Sequence, residues 1–496
     1  MNIIRESNQK ILNELGPNIK IYNQNYRLLK YLVIEDIDNG KAIHNELTRS
    51  FVWIPNIQWN NIFYNLNVDY CKWLWDNYFL VNEGFNEYEI QKSLKNKFRP
   101  SYKNENYLKP GTIYEFTIFP TMVCNAQCNY CYEKGRPQKP MTLETAKKVG
   151  NWIINNAAKN KKLQLRWFGG EPLIGEKCID TICQIVKDAG LNYKSSITTN
   201  GFLFKNENLN KYNDLWHLKS CQITLDGTEE AYNKIKNYKN IKGKSPYQIV
   251  IGNIKMLSEN NIFVSIRLNT DVNNADNIKE LIKELYKKFK DNNYVKPYCY
   301  SIFEDENNPR TDEENKILYE KIDEVESTLL KYGFGHTRDR STEIRFTHCM
   351  IDHGGAVVIS TQGDIGLCEH YSEDHFWGHI DKPEMKDMDE IKKFQSYEED
   401  LSICKSCKIL PSCIRAKMCI NLRKCNIYIK DYNIKKAHRS VKDMYMKWFK
   451  EVQDKNNNQQ TNNEDYRQME YNQNITNKEK TLKNNKVIKF IKKLLK

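Results

Sequence analysis

The sequence predicts an α/β fold in which a parallel sheet curves into a full or partial barrel. Between residues 112 and 303, short runs rich in β-branched and aromatic residues alternate with longer segments whose apolar residues recur at three- and four-residue steps. Six repeats of strand and then helix favour a parallel sheet, because each helix returns the chain to the end of the sheet at which the previous strand began. In such sheets the chemistry lies at the C-terminal ends of the strands.

Each of these repeats can be seen as a separate segment. The predicted strands are TIYEFTIFPT, KLQLRWFGG, SSITTNG, SCQITLDG, IFVSIRLNTD and YVKPYCYSIF. The clearest predicted helices are MTLETAKKVGNWIINNAAKN, KCIDTICQIVKDAG and NIKELIKELYKKFKDN. Together they predict a barrel domain over residues 106–310.

The segments on either side of the barrel differ from it in pattern. Residues 1–105 combine two strand patterns, YRLLKYLVIED and KAIHNELTRSFVWI, with a helical stretch around Trp73, and we expect a small winged, mixed domain. Residues 311–344 predict a helical connector. Residues 345–453 are rich in cysteine and poor in periodic structure, as expected where metal ligands replace a hydrophobic core.

Length and composition exclude several classes of protein. The 496 residues, 40% of them hydrophobic, are enough to bury several cores, and fifteen cysteines in that length are too dilute for a small disulfide scaffold. The N-terminus lacks a charged segment followed by an apolar one, and the chain has no uncharged apolar run of about eighteen residues. We therefore expect a cytoplasmic protein with reduced thiols.

The formal net charge of +13 is concentrated at the C-terminus. Residues 478–496 hold eight lysines and one glutamate and supply seven of these charges, so we expect no nucleic-acid partner. Residues 454–477 are polar and rich in Asn and Gln, which predicts a disordered linker. The basic tail beyond it could form an amphipathic helix that binds a membrane surface or a partner, but a solvated, disordered tail is favoured.

Three cysteines follow the first strand of the barrel in the segment CNAQCNYC. Cys124, Cys128 and Cys131 are separated by three and then two residues. Iron–sulfur clusters normally take four cysteines, so three leave one iron with an open position for a substrate or a cofactor. A zinc ion with a fourth ligand from elsewhere is the structural alternative, and the location at the end of a strand favours catalysis over it.

The segment CNAQCNYC resembles the signature of the radical SAM superfamily, and the end of the second strand agrees with it. There Gly169, Gly170 and Glu171 are similar to the GGEP motif of that family. The resemblance implies a four-iron four-sulfur cluster on the three cysteines, which binds S-adenosylmethionine and cleaves it to a 5′-deoxyadenosyl radical. It also implies that this backbone and Glu171 hold the methionine ammonium, with glycine permitting the close approach.

Polar side chains at the ends of the next three strands are also similar to that family. These strands end in TTNG, LDG and RLNTD. The resemblance implies that Thr199, Asn200, Arg267 and Asn269 contact the ribose and the methionine carboxylate, and that Tyr130 lies near the adenine. Each residue alone is weak evidence, because Thr and Asn also cap helices. The ordered recurrence at successive strand ends is the stronger signal.

A second group of cysteines lies downstream and resembles the SPASM extension of radical SAM enzymes. It begins at Cys349, continues through GDIGLC to Cys368, and ends with CKSCKILPSCIRAKMC and one further cysteine. Before Cys419 the spacing is five residues where the family has three, and this departure puts the assignment of Cys419 in doubt. The resemblance implies two auxiliary clusters, one on Cys404, Cys407, Cys413 and Cys425 and the other on Cys349, Cys368 and Cys419.

The second of these auxiliary sets is one ligand short. Its open iron could take a substrate thiolate, a local side chain such as His353, or another cysteine. A zinc ribbon on Cys404, Cys407, Cys413 and Cys419 is the alternative, since thiolate pairs suit zinc equally well. The remaining cysteines lie in helical or strand patterns and are expected to be buried apolar residues: Cys71, Cys178, Cys183, Cys221 and Cys299.

Glu369 directly follows Cys368, at a position where some members of the family carry an acidic catalytic base. It is therefore our candidate for removing a proton from the substrate. His370, Glu373 and Asp374 are neighbouring alternatives. A solvated loop carboxylate is the structural alternative for each acidic residue.

The N-terminal block is similar to a segment of radical SAM maturases of ribosomally made peptides. The resemblance is carried by GKAIHNELTRSFVWI and YFLVNEGFNEYEI. In those enzymes this segment often forms a small winged fold that binds the leader of the precursor, and we expect binding by strand addition at an exposed sheet edge. A plain capping domain is the alternative.

The combined pattern predicts a peptide maturase that takes a hydrogen atom from a precursor peptide and installs a thioether or carbon–carbon crosslink, or an epimerised residue. Such an enzyme implies an external electron donor of the flavodoxin or ferredoxin type. One alternative is a formylglycine-forming maturase of sulfatases, although that family usually lacks so long an N-terminal block. Another is a nucleic-acid-modifying radical enzyme, but no recognisable RNA-binding module accompanies the barrel. A non-catalytic metal-binding scaffold would leave the motifs at the strand ends unexplained.

Overall fold

The computed structural model describes most of the chain. The described residues are 1–19, 25–62, 68–98, 104, 106–239, 243–304, 309–334, 350–351, 353–371, 375–395, 402–413 and 425–454. Cys349, Cys419, Glu373 and Asp374 lie outside them, as do the predicted linker and tail beyond residue 454.

The N-terminal block folds as a small antiparallel sheet with flanking helices. In chain order its elements are β1 (Asn2–Arg5), α1 (Gln9–Leu15), β2 (Tyr26–Leu28), β3 (Leu32–Ile37), β4 (Gly40–Asn45), β5 (Phe51–Pro55), α2 (Asn56–Trp59), α3 (Asp69–Asp76), β6 (Leu80–Asn82) and α4 (Glu87–Phe98). The main sheet has the order β1-β5-β4-β3, and a second sheet pairs β2 with β6. The helical stretch predicted around Trp73 is α3. The winged arrangement stays a prediction.

The predicted strand KAIHNELTRSFVWI is divided in two by a tight turn. The side-chain oxygen of Asn45 accepts hydrogen bonds from the backbone N–H groups of Leu47 at 2.9 Å and Thr48 at 3.1 Å. Asn commonly closes turns in this way, since its side chain mimics a backbone carbonyl. Arg49 then adopts a φ of 68°, and β4 and β5 pair as an antiparallel hairpin.

All six predicted strands of the barrel are present and run parallel. The elements are β7 (Glu115–Thr121), α5 (Leu143–Asn156), β8 (Leu163–Gly169), α6 (Glu176–Asp188), β9 (Tyr193–Thr199), α7 (Leu209–Asp214), β10 (Leu218–Leu225), α8 (Glu229–Lys236), α9 (Pro246–Glu259), β11 (Phe263–Thr270), α10 (Ala275–Phe289) and β12 (Val295–Ser301). The strands follow the chain in the order β12-β11-β10-β9-β8-β7, and each neighbouring pair is parallel.

The helices of the barrel bury one apolar stripe each against the sheet. In α5 the hydroxyl of Thr142 caps the first turn by accepting from the Thr145 N–H, and Ala146, Val149 and Ile153 lie on the buried face. These side chains join one large core with the apolar residues of all six strands. The packing fixes where each strand ends, and therefore where the loops at those ends lie.

The sheet continues past the barrel into the cysteine-rich segment. This part contains α11 (Asp312–Lys331), β13 (Ala356–Ile359), β14 (Asp364–Gly366), β15 (Phe376–His379), α12 (Met388–Phe394), α13 (Ser402–Lys405) and helical residues 427–454. β13 pairs in parallel with β7, and β14 and β15 extend the sheet in antiparallel fashion to nine strands. We expected little periodic structure in this segment. It contains three short strands in its described part, which the sequence did not reveal because strands of three and four residues are too short to show alternation.

The C-terminal helix joins the barrel side of the molecule to the N-terminal sheet. One of its faces packs Ala437, Val441 and Tyr445 against the N-terminal block, in a core that includes Val33 and Phe51. On the barrel side, α11 contributes carboxylates that pair with cations of the helix, and these ion pairs include Glu326 with Lys436 and Arg439. The N-terminal block is therefore integrated into the fold through this helix.

Four of the five cysteines predicted to be buried are buried, namely Cys71, Cys178, Cys183 and Cys221, whereas Cys299 is only half-buried. Burial raises the pKa of Cys299 to about 12, and its thiol contacts the Thr270 hydroxyl at 3.3 Å. Within the described part of the chain, none of the helices has the length and apolarity needed to cross a bilayer.

Candidate functional site

A cavity of about 450 Å³ opens at the C-terminal ends of the barrel strands. Its wall combines the loop after β7, the glycine segment at the end of β8 (Gly169 and Gly170), the ends of β9 to β12 and part of the segment after β14. The predicted site residues that line it are Cys124, Cys128, Tyr130, Cys131, Gly169, Gly170, Thr199, Asn200, Arg267, Asn269 and Glu369. The fold thus brings together side chains that are far apart in sequence, from Cys124 to Glu369.

The three cysteines of the loop after β7 lie close together as partly buried thiols. Burial, assisted by the negative charges of Glu171, Cys128 and Cys131, raises the pKa of Cys124 to about 12, although the Ala126 N–H favours the thiolate. Burial likewise raises the pKa of Cys131 to about 11. Three thiol ligands that would repel one another as thiolates are the donor set of a cationic metal centre, so these residues fit an iron–sulfur cluster.

The glycine segment packs directly against the chain that enters the cysteine loop. The Gly170 N–H donates to the Thr121 carbonyl at 3.2 Å, and the Glu171 N–H donates to the Val123 carbonyl at 2.9 Å. A Cβ on Gly169 would lie 2.2 Å from the Thr121 oxygen. Only glycine permits this approach, so the motif sets the position of the chain that enters the cysteine loop.

Glu171 is fully buried and lies behind the cavity wall. Its carboxylate accepts hydrogen bonds from the Thr199 hydroxyl at 2.7 Å, the Asn200 N–H at 2.8 Å and the Leu173 N–H at 3.1 Å. Burial raises its pKa to about 6, although these donors favour the charged form. In this structure Glu171 therefore holds the end of β9, and its predicted contact with a methionine ammonium stays a prediction.

The ends of β9 and β11 direct amide side chains towards the cysteine loop. The Asn200 amide donates to the Asn125 side chain at 2.7 Å. The Asn269 amide donates to the Tyr130 hydroxyl and to Asp226, each at 3.0 Å. Asn200 thus contacts the loop at Asn125, and Asn269 contacts it at Tyr130. Their predicted contacts with ribose and adenine remain untested.

Sequence analysis missed a buried ion pair behind Tyr130. Lys236 is 3% exposed and Asp226 is fully buried, and the ammonium lies 3.0 Å from one carboxylate oxygen. Burial disfavours the charged form of Lys236, but Asp226 together with Tyr130, Cys128 and Tyr232 outweighs burial and raises the pKa well above the ordinary value. Lys236 lies at the end of α8 among other polar residues, so the sequence gave no sign that its side chain is buried. Asp226 was visible in the LDG segment.

The part of the cavity wall that packs against Tyr132, next to the third loop cysteine, is aromatic and cationic. The Arg267 guanidinium stacks 4.0 Å above the Tyr300 ring, and its buried Nε has no hydrogen-bond partner among the described residues. His370 packs edge-to-face on Phe303 with ring centroids 4.9 Å apart, and the part of the chain that the structure describes offers its buried Nδ1 no partner either. Glu369 lines the same wall. Two side chains of this wall therefore carry a buried polar atom whose hydrogen-bonding capacity is not used by the described residues.

A buried carboxylate beside this wall was also missed by sequence analysis. Glu133 is 8% exposed, lines the cavity and accepts from the Tyr132 hydroxyl at 3.3 Å. Arg136 closes this region by donating to the His370 carbonyl at 2.7 Å. Glu133 follows the third loop cysteine by only two residues, and that proximity was the available signal.

Four cysteines of the second group also lie near one another. Burial, assisted by the charges of Cys413, Cys425 and Cys404, raises the pKa of Cys407 to about 11. These are the four residues that the SPASM resemblance assigns to one auxiliary cluster, and four thiols complete such a ligand set. Within the described ranges, no three His, Cys, Asp or Glu side chains converge on the position of a single metal ion.

The other auxiliary set is described only in part, because two of its cysteines lie outside the described residues. Cys368 is partly buried at the end of β14. His353, the suggested local ligand, stacks on Tyr114 with ring centroids 5.4 Å apart, and its Nδ1 accepts from the Gly355 N–H at 3.2 Å. The fourth ligand of this set stays open.

Comparison with known proteins adds one family and several relatives. Residues 118–289 match the family model described as the Radical SAM superfamily. The chain is 26% identical over 306 residues to the radical SAM cyclopropyl synthase TigE of Paramaledivibacter caminithermalis, covering 55% of this chain and 60% of TigE. It is 23% identical over 169 residues to the sporulation killing factor maturation protein SkfB of Bacillus subtilis, covering 34% of this chain and 38% of SkfB. The matches thus span less than two thirds of either relative.

A solved structure shares the fold. Native anSMEcpe with bound AdoMet and a Cp18Cys peptide superposes with a TM-score of 0.50 at 15% identity, covering 69% of this chain and 99% of that one. At this identity the likeness concerns the arrangement of strands and helices.

Proposed function

We propose that this chain, whose residues 118–289 match the model of the Radical SAM superfamily, is a peptide maturase of that superfamily. It would cleave S-adenosylmethionine in the barrel cavity and take a hydrogen atom from a ribosomally made precursor peptide. The outcome would be a thioether or carbon–carbon crosslink, or another modification of the peptide. The observation that carries this proposal is that one cavity is lined both by the three loop cysteines and by Glu369 and His370.

The residues of the cavity would form two groups, one that binds the cluster and S-adenosylmethionine and one that binds the peptide. Cys124, Cys128 and Cys131 would ligate a four-iron cluster, and S-adenosylmethionine bound there would supply the 5′-deoxyadenosyl radical. The strand-end amides of Asn200 and Asn269 would orient the bound cofactor. The aromatic wall around Phe303 and His370 would hold the peptide, with Glu369 removing a proton as the new bond forms. The relatives TigE and SkfB, a cyclopropyl synthase and a maturation protein by name, support a modification reaction.

The second cysteine group would hold auxiliary clusters that accept the electron released by the substrate. The proximity of Cys404, Cys407, Cys413 and Cys425 supports one complete cluster. Cys349, Cys368 and Cys419 would hold the other. A flavodoxin- or ferredoxin-type protein would supply the electron that starts the reaction.

The N-terminal block would bind the leader of the precursor. Its strand β3 lies at the outer edge of the four-stranded sheet, where an extended peptide can add a further strand. Because the C-terminal helix and residues 402–413 pack on the same block, a leader bound there would be fixed relative to the second cysteine group.

The experiment that tests this proposal uses the short peptides encoded beside the gene. Each peptide is made fully deuterated and incubated anaerobically with reconstituted enzyme, S-adenosylmethionine and dithionite. We expect one peptide to transfer deuterium to 5′-deoxyadenosine and to change in mass, and the Cys128→Ala variant to do neither. Deuterium transfer from a sulfatase-derived peptide, with none from any neighbouring peptide, would overturn the proposal.

A further inference from the structure

We infer that Lys236 is a positioning residue for the cysteine loop and places a buried positive charge beside Cys128. This inference rests on the proposed function, because it assumes a cluster on the loop. It concerns a residue that no motif of the sequence identifies. The charge would favour the reduced form of the cluster, which carries one more negative charge.

The backbone at the end of α8 is docked onto the cysteine loop. The Gln127 N–H donates to the Lys236 carbonyl at 2.8 Å, and the Lys239 N–H donates to the Asn125 carbonyl at 3.2 Å. Both loop residues lie between the first and second cysteines. The loop therefore takes its shape from the segment that begins at Lys236.

The side chain of Lys236 holds the other half of the loop. Its ammonium donates to the Tyr130 hydroxyl at 3.1 Å and to the Thr224 hydroxyl at 2.6 Å. The Tyr130 hydroxyl in turn donates to Asp226 at 2.7 Å. Because Tyr130 lies between the second and third cysteines, one lysine restrains both intervals of the motif, by its carbonyl and by its ammonium.

The charge of Lys236 is fixed next to the ligand set. Lys236 and Cys128 line the same cavity, and the ammonium interacts electrostatically with the Cys128 thiol. The Asp226 carboxylate is the counterion, 3.0 Å from the ammonium. In a buried site such an interaction is weakly screened. Removing the cation and removing its counterion should therefore move the reduction potential of the cluster in opposite directions.

The test is a redox titration of the loop cluster, monitored by electron paramagnetic resonance, in variants that lack the other clusters' cysteines. We expect Lys236→Met to shift the midpoint potential downwards and Asp226→Asn to shift it upwards. Lys236→Arg, which keeps the charge, should stay near the starting potential. Lys234→Met, on the exposed side of the same helix, is the matched control and should change nothing.

Two results would overturn the inference. One is a Lys236→Met protein that binds iron normally and keeps the starting potential. The other, which decides the matter if Lys236→Met does not fold, is an Asp226→Asn potential that fails to rise. A parent cluster that does not respond to S-adenosylmethionine, with the potentials of the variants shifting as expected, would overturn the proposed function and leave this inference standing.

Discussion

Glu171 shows how burial and hydrogen bonding compete at a single residue. Three donors favour its carboxylate, yet complete burial prevails and raises the pKa from 4.5 to about 6. Below the unfolded pKa, both the folded and the unfolded chain hold the proton. As pH rises through the folded pKa, ionisation favours the unfolded chain, so the stabilising contribution of the protonated group is lost.

Glu171→Gln should remove this pH dependence. A difference of about 1.5 pKa units corresponds to about 2 kcal/mol, so the free energy of unfolding of the parent protein should fall by this amount relative to the variant between pH 4.5 and 7. Urea denaturation of the apoprotein at a series of pH values measures it. Glu144→Gln, whose side chain is 83% exposed, is the control. Parallel pH profiles for the parent and Glu171→Gln would contradict the assignment.

Residue-level prediction from sequence succeeded where a motif fixed the spacing. The loop cysteines and the two glycines were found because each lies at the end of a strand in a recognisable order. Lys236 and Glu133 were missed because a charged residue at a helix end, or two positions after a cysteine, is usually solvated. Their roles depend on burial, which follows from packing between distant elements.

The glycine segment after β8 is an element whose backbone approach excludes any side chain. A Cβ on Gly170 would lie 2.4 Å from the Met122 carbonyl oxygen, so Gly170→Ala must displace the chain that leads into the cysteine loop. We expect a loss of about 1–3 kcal/mol in stability, together with reduced iron binding. Gly252, which has open space around it in α9, is the matched control, and Gly252→Ala should stabilise the protein by about 1 kcal/mol. Unchanged iron binding in Gly170→Ala would show that this segment does not set the loop.

The second cysteine group can be tested by its iron content. Three four-iron clusters predict about twelve irons per chain after anaerobic reconstitution, and replacing Cys404, Cys407 and Cys413 with alanine should remove about four. Cys183→Ala, a fully buried core cysteine, should leave the iron content unchanged. About four irons in the parent protein would contradict the auxiliary clusters.

Prediction from sequence identified all six strands of the barrel but only three of its described helices, and it was partial elsewhere. Strands of seven and eight residues show clear periodicity, whereas β13 to β15 have three or four residues and gave no signal. The turn at Asn45 split a strand that looked continuous, because the side chain of one residue outweighed the β propensity around it.

At the scale of the whole molecule, the C-terminal helix connects parts that are far apart in sequence. Val441 is fully buried against the N-terminal sheet, and Met446 on the same helix is 50% exposed. Val441→Asp should destabilise the protein by about 3–5 kcal/mol, since it buries an unpaired charge, and Met446→Asp should have little effect. Chemical denaturation followed by tryptophan fluorescence measures both. Similar losses in the two variants would contradict this packing. Long-range docking of this kind could not be predicted from local sequence patterns.

The central proposal is that S-adenosylmethionine is cleaved at the loop after β7. The direct measurement is the amount of 5′-deoxyadenosine that the reconstituted protein releases from S-adenosylmethionine with dithionite under anaerobic conditions. We expect the parent protein to release 5′-deoxyadenosine and the variant in which Cys124, Cys128 and Cys131 are alanine to release none. Undiminished release by that variant would contradict this proposal.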